Sequence, residues 1–551
     1  MLVNLLFLIL GVGLVSGLIP KNRLTFLWSL FSVTAVSYLT YRLSFMVEQP
    51  DFHLVYPWLK IPNLAINMEI AIDAHNIHLV IALLGVNLLV LLQNTFSKEQ
   101  AKNSLNGLVL LNLLSTLMLV FANNYIQMLV AVGVCDIFVY SAINNIEAKK
   151  KYIYTNFLAN VGLISIFAIV LGNGAGIELK NLAEYYKFGH HKDFVAIMFL
   201  VCIFAKTGLF LFHGTYIDLC SLSFNRLNFI LLTTTPLVGY LLLLKCESLL
   251  LISPYSYPIL CCFSLASVAW GTYGSVVMDN LRQKSVYTSM MFWGLVYAFA
   301  ALGNRLSPLD FATLLIAAFL FFQVFILINI AASNGNMVSE MGGFIKDIKI
   351  TFGLSLVILS VYISAILSVL SYNRFLVWGY IVLLTLVSSH VGSQILLGKS
   401  RADEKVLAML KNPSMFLWLP IALMTFALGY YLRPSPLYLL PILAVWFALF
   451  IFRPLKQLDK FYDKAEIQES DYLSNIYELL IVTPIKVIGR VLWLLIDFVF
   501  IERTVISSIQ NALRFMVYVF KKIHSGRFFG EILFVLLGLG IVLTIWFYGG
   551  R

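Results

Sequence analysis

Charge is what this chain has least of. Of 551 residues only 12% are Asp, Glu, Lys or Arg, against 60% hydrophobic ones. A soluble domain cannot cover its surface with so little charge, and a mean hydropathy of +0.89 excludes one. Cysteine is scarce too. Cys135, Cys202, Cys220, Cys246, Cys261 and Cys262 form no Cys-x-x-Cys pair and no ligand spacing, which excludes a disulfide framework and a thiolate metal centre. There is no His pair placed for haem and no Gly-rich dinucleotide turn on a strand–helix unit, so neither a cofactor nor a catalytic site is expected. The first residues lack a basic n-region and a small-residue cleavage site, so 2–18 reads as a retained span, not a signal peptide. Scarce acidic residues leave a net charge of +11. In so apolar a chain the basic excess belongs to cytoplasmic loops, not to a nucleic-acid surface.

What is present is a succession of apolar runs. They lie at 2–18, 24–46, 75–93, 105–122, 125–143, 153–171, 193–212, 227–244, 257–278, 285–302, 309–330, 350–370, 375–397, 416–431 and 437–452, and a last one at 531–548. Each is near the ~20 residues a bilayer needs, which predicts an all-α polytopic membrane protein with about sixteen transmembrane helices. The polar stretch 49–73 interrupts them, with Tyr56-Pro57-Trp58 as an interfacial aromatic patch. Connections after odd-numbered spans carry Lys21 and Arg23, Lys98 and Lys102, Lys149 to Lys151, Arg282 and Lys284, and Lys346 and Lys349. The positive-inside rule makes these loops cytoplasmic and both termini periplasmic, in an inner membrane. From 484 to 524 apolar residues alternate with Lys486, Arg490, Asp497, Glu502, Arg503 and Arg514. This predicts a long lateral amphipathic helix, roughly 60 Å at ~1.5 Å per residue, with an extra span at 487–501 as the alternative.

One charge stands where charge is least welcome. Lys206 lies inside the run 193–212, with His213 seven residues on. An ionisable group there costs about 2.5 kcal/mol or more, so it faces a bundle interior or a wet cavity by default. The competing reading is a lysine that snorkels from a misplaced helix end.

Several stretches together resemble the L-type antiporter-like subunit of bacterial NADH–quinone oxidoreductase, respiratory complex I, and the related subunit of Mrp-type Na⁺/H⁺ antiporters. They are Asn123 to Met128, Ala205-Lys206 with Phe210 and His213, Asp279 to Ser289, Met341-Gly342-Gly343, and at the C-terminal end Trp493, Asp497, Ile506 and His524-Ser525-Gly526. The resemblance implies four regions: N-terminal spans over 1–122, an antiporter-like core of inverted repeats over 123–397, further spans and a cytoplasmic-side polar segment over 398–483, and the lateral helix with a closing span over 484–551. It implies other integral membrane subunits as partners within the lipid bilayer. It also implies a proton axis in which Lys206, Asp136, His213 and Arg374 are the candidates, while Trp493 and Asp497 anchor the lateral helix.

The departures carry as much weight. The family's fifth-span glutamate aligns with Gly133, and Asp136 lies three residues later on the same helix face. The eighth-span histidine falls on Leu231, the eleventh-span His and Lys on Phe319 and Gln323, and the twelfth-span Lys on Arg374, which holds a charge but does not relay a proton. Ile217 and Asn225 stand where prolines would break the seventh helix. Two readings follow: a working proton-translocating subunit with a re-routed axis, or a degenerate paralogue that keeps the fold and docking surfaces. A monovalent cation/proton antiporter subunit is a further alternative. An unrelated solute transporter would need a substrate-shaped polar site near the midplane, and only Lys206, Asp136 and the threonines 233 to 235 offer polarity there.

Overall fold

The computed structural model describes residues 23–46, 52–61, 64–72, 76–96, 105–172, 178–179, 191–302, 306–331, 349–369 and 377–384, with isolated positions elsewhere. The chain separates into two compact units, Met1–Tyr477 and Glu478–Arg551. In the second, Val487, Asn511 and Arg514 are described, all helical and exposed. Trp493, Asp497 and most of the expected lateral helix lie outside the described residues, as do Arg374 and the spans expected at 437–452 and 531–548.

The first unit is built from helices: α1 (Arg23–Met46), α2 (Ile77–Phe96), α3 (Leu105–Phe121), α4 (Tyr125–Ala142), α5 (Ile146–Gly172) and α6 (Lys192–Thr207). After a short turn, α7 (Gly214–Ile217), come α8 (Phe224–Thr233), α9 (Thr235–Lys245), α10 (Glu247–Leu251), α11 (Ser256–Val277), α12 (Leu281–Ala301), α13 (Pro308–Ala331) and α14 (Lys349–Val369). Five described helical stretches are long and apolar enough to cross a membrane. Apolar residues fill the core of the bundle and also cover the outer faces of its helices. On α1, Leu27, Leu30, Phe31, Tyr38 and Tyr41 face outward while Ser29 and Ser32 are buried. On α5, Ile153, Phe157, Val161 and Ile164 are exposed, whereas Tyr152, Thr155 and Asn156 point inward. Apolar side chains that would be costly in water are at home against lipid, so hydrophobicity no longer selects what goes inside. The fold is an all-α polytopic membrane fold, with α8 and α9 the most fully buried of its described spanning stretches.

Close packing uses small residues. Between α11 and α12, a Cβ at Gly274 would lie 2.3 Å from the Tyr287 ring, so only glycine lets the two backbones approach this far.

Three expectations need correction. The stretch 49–73 contains a β-hairpin, β1 (Phe52–Ile61) with β2 (Leu64–Ile72), antiparallel, with its register shift between Pro57 and Leu59. Proline cannot donate to the ladder and is tolerated at such an irregularity. The run 193–212 is helical only to Thr207. The run 227–244 is two helices joined at Thr234, whose φ of −113° and ψ of −123° are not helical.

Candidate functional site

α6 ends at mid-run without a proline. Gly208 takes a left-handed φ of 69°, and its amide and that of Leu209 both bond to the Phe204 carbonyl, at 2.9 and 3.2 Å. A left-handed residue closing a helix is the usual way to stop one, and glycine accepts that conformation without strain. Three residues on, Leu211 holds a φ of 77°, the one positive φ of a non-glycine residue among the described residues. The groups freed by the break find partners: Ser267 Oγ accepts from the Phe210 amide at 2.9 Å, and Tyr216 Oη donates to the Lys206 carbonyl at 2.6 Å. Within a bilayer, irregular backbone survives only where protein satisfies it in this way.

Lys206 sits on the last turn of α6, wholly buried, and donates to Asp136 Oδ2 on α4 as an ion pair. Asp136 has two further donors, both on α5. Asn160 Nδ2 donates to Oδ2 at 2.7 Å, and Tyr152 Oη reaches Oδ1 at 3.5 Å. A buried lysine and carboxylate hold their charges only when each is paired and hydrogen-bonded, and this cluster meets both conditions. The snorkelling reading of Lys206 is therefore set aside: its ammonium points into the bundle.

Two cross-links join α5 to the segment after the break, the second of them at the end of the bundle carrying Lys149 to Lys151. Thr155 and Thr215 share a hydrogen bond of 2.8 Å, both buried. One turn further, Lys151 Nζ meets Asp218 Oδ2 at 3.0 Å, with side chains 30% and 31% exposed. Tyr216 also shares a 2.7 Å bond with Thr235, and Thr207 one of 2.7 Å with Tyr297.

His213 is placed on the far side of the break, against α11 and α12. It is buried, accepts at Nε2 from Trp270 Nε1 at 3.2 Å, and lies 5.9 Å from the Tyr287 ring centroid. Leu231 and Phe319 are buried, as is Gln323. The Leu231 carbonyl accepts from Trp293 Nε1 at 3.0 Å and from Ser289 Oγ at 3.3 Å.

Other basic residues close helix ends. Arg226 donates to the Ala142 carbonyl, Lys245 to that of Ala122, and the buried Lys284 to those of Ser275 and Val276. Each cation meets the carbonyl end of another helix, where the macrodipole is negative.

Tyr152, Asn160, Thr155 and Thr215 were missed by the sequence reading. The signal was available: Tyr152, Asn156 and Asn160 recur every fourth residue in an otherwise apolar helix, which puts them on one face. Among the described residues no group of three or more His, Cys, Asp or Glu is arranged to hold a metal.

No protein-family model matches the chain, and no curated protein does. Solved structures do. A chain of the Mrp complex from Dietzia sp. DQ12-45-1b has 16% identity and a TM-score of 0.59, the match covering 100% of this chain and 63% of that one. This chain thus spans less than two thirds of that neighbour's length. A chain of the membrane-bound sulfane sulfur reductase, an archaeal respiratory membrane complex, has 14% identity and a TM-score of 0.64, with 98% of this chain and 99% of that one covered. At such identities the likeness is one of fold, and it extends across nearly the whole chain.

Proposed function

We propose that this chain is an antiporter-like membrane subunit of a multi-subunit assembly of the Mrp or complex I kind, and that it carries a local charge pair without a complete proton axis of its own. Two fold neighbours drawn from such assemblies support the first half of this reading. The second half rests on one observation: three described positions at which the resembled family has protonatable residues carry none here. Lys206 and Asp136 form a hydrogen-bonded pair, while buried Leu231, Phe319 and Gln323 occupy the positions where the resembled family has protonatable residues. A relay needs groups that take and give protons in a hydrated track. A buried phenylalanine excludes water from its position, and each missing site lengthens the gap.

Within that group we read it as L-type, on the stretches from Asn123 to Ser289 and Met341 to Gly343 quoted above, with redox chemistry left to partner subunits. Purification of the tagged chain from solubilised membranes with mass spectrometry of its partners tests the host: complex I-like partners favour the respiratory reading, Mrp-type partners the antiporter one. For transport, the assembled complex is reconstituted into proteoliposomes with the charge-neutral pair Asp136→Asn and Lys206→Met. Proton flux per assembled complex is expected to equal that of the unaltered complex. A clear loss of flux would show that the axis runs through this pair.

A further inference from the structure

Residues 208–221 make a compact element with hinge-like features at one end and cross-links at the other. At the hinge end stand left-handed Gly208 and Leu211, and Gly214 has no heavy atom within 4 Å of a Cβ built on it. A leucine at φ 77° is strained and persists only where its surroundings enforce it. From there the chain turns through α7 and a 3₁₀ turn, Asp218–Ser221, laid against α5. Its hold on α5 is polar and layered: Thr215 to Thr155 inside, Asp218 to Lys151 outside. Its far end is anchored on α12, where Arg282 Nη1 donates to the Cys220 carbonyl at 3.2 Å and the guanidinium lies 5.5 Å from the Phe224 ring.

We propose that 208–221 is a hinged cap over the Lys206–Asp136 pair, latched to α5 by Lys151–Asp218 and Thr155–Thr215, and that release of the latch admits water to Asp136 from the face carrying Lys149 to Lys151. The layering carries this. Tyr152 and Asn160 of α5 both reach Asp136, and Thr155 lies between them on the same helix, so the inner cross-link stands at the level of the pair and Lys151–Asp218 about a turn outward of it. Tyr216, on the cap itself, bonds to the Lys206 carbonyl, so a cap that swings must also let go of the lysine's own backbone. The outer cross-link is the most exposed part of this stack, its side chains about one third exposed against 12% for Asp136 and none for Lys206. Its strength therefore depends on ionic strength, unlike that of the pair beneath it. The inference shares with the proposed function the assumption that the pair is the site of interest, but it requires no transport.

The test uses the full chain in detergent. Hydrogen–deuterium exchange of peptides covering 209–222 reports the cap, including the Tyr216 and Ile217 amides that bond to the His213 carbonyl. Labelling of Asp136 by a water-soluble carbodiimide, read by mass spectrometry, reports access beneath it. Lys151→Ala is expected to raise both by about two- to fivefold, the range an exposed ion pair supports. The charge exchange Lys151→Asp with Asp218→Lys is expected to restore slow exchange, and high salt to bring the unaltered chain toward Lys151→Ala. Unchanged exchange in Lys151→Ala overturns the latch. Faster exchange spread evenly through α3 to α5 overturns it too, because the substitution then loosens the bundle rather than a cap. A mobile cap with unlabelled Asp136 overturns the guarding role. Each of these outcomes is independent of whether the assembly moves protons.

Discussion

The bundle contains two helix breaks that solve the same problem differently. At the first, between α6 and α7, the chain opens for several residues, and a lysine–aspartate pair stands beside the gap. At the second, between α8 and α9, only Thr234 departs from helix, and the freed carbonyls are taken up by neutral donors. Asn112 Nδ2 bonds to the Thr233 carbonyl at 2.9 Å, while Trp293 and Ser289 hold that of Leu231. Thr233 and Thr234 fold back onto Phe229 and Ile230 at 2.7 Å each. The first break keeps charge in the bundle and a polar path outward through Thr155 and Lys151. The second is sealed by hydroxyls, an amide and an indole, none of which titrates usefully. The two breaks therefore differ in chemistry rather than in discontinuity: one is lined by a charged pair, the other by neutral donors.

The largest expected effect comes from splitting the charged break. Lys206→Leu leaves Asp136 buried beside Asn160 and Tyr152 with no cation, and Asp136→Asn leaves Lys206 likewise stranded. Each single change is expected to destabilise the solubilised protein by about 3–5 kcal/mol, the cost of an uncompensated buried charge. Asp136→Asn combined with Lys206→Met removes both charges and should recover most of that loss. Thermal unfolding in detergent measures the cycle. Single variants as stable as the parent would mean that water already reaches the pair.

How much of this was legible in the sequence depends on the residue. Lys206 announced itself, because a lone cation inside an apolar run has few places to go; Asp136 came only through the resemblance, three residues from the position of the family's glutamate. The break after Thr207 was not legible: the prolines that would mark it are absent, and its signal is Gly208, whose left-handed role depends on Tyr216 lying against it. The hairpin 52–72 was hidden by Pro57 and by its mixed polarity. Tyr152 and Asn160 were overlooked because the run 153–171 was read for its length alone, and Tyr152 lies just outside it. In a bilayer hydrophobicity reports length and depth well, but it is silent about which face turns inward.

A smaller effect should come from unsealing the neutral break. Asn112→Leu removes the donor to the Thr233 carbonyl and the acceptor 3.2 Å from Cys135 Sγ. An orphaned buried carbonyl costs about 1–3 kcal/mol, less than a stranded charge. The unfolding midpoint should therefore fall by less than in either single variant of the ion pair. A fall as large as theirs would place the two breaks on equal terms and erase the distinction drawn between them.

The smallest effect belongs to the ion pair that most resembles Lys206–Asp136 on paper. Lys150 and Glu147 stand 3.0 Å apart on the first turns of α5, with side chains 54% and 74% exposed. Water and salt screen such a pair, and holding two long side chains together costs rotamer freedom, so its Coulomb attraction is largely cancelled. Lys150→Ala is expected to leave the unfolding midpoint unchanged at moderate ionic strength, and to leave exchange at 209–222 unchanged as well. The same chemistry thus has opposite consequences within one helix's reach. Lys206 is wholly buried and the Asp136 side chain only 12% exposed, so losing one largely strands the other; Lys150 and Glu147 already face water. A measurable loss of stability in Lys150→Ala would mean that this corner is covered in the folded protein, and that exposure does not separate the two pairs.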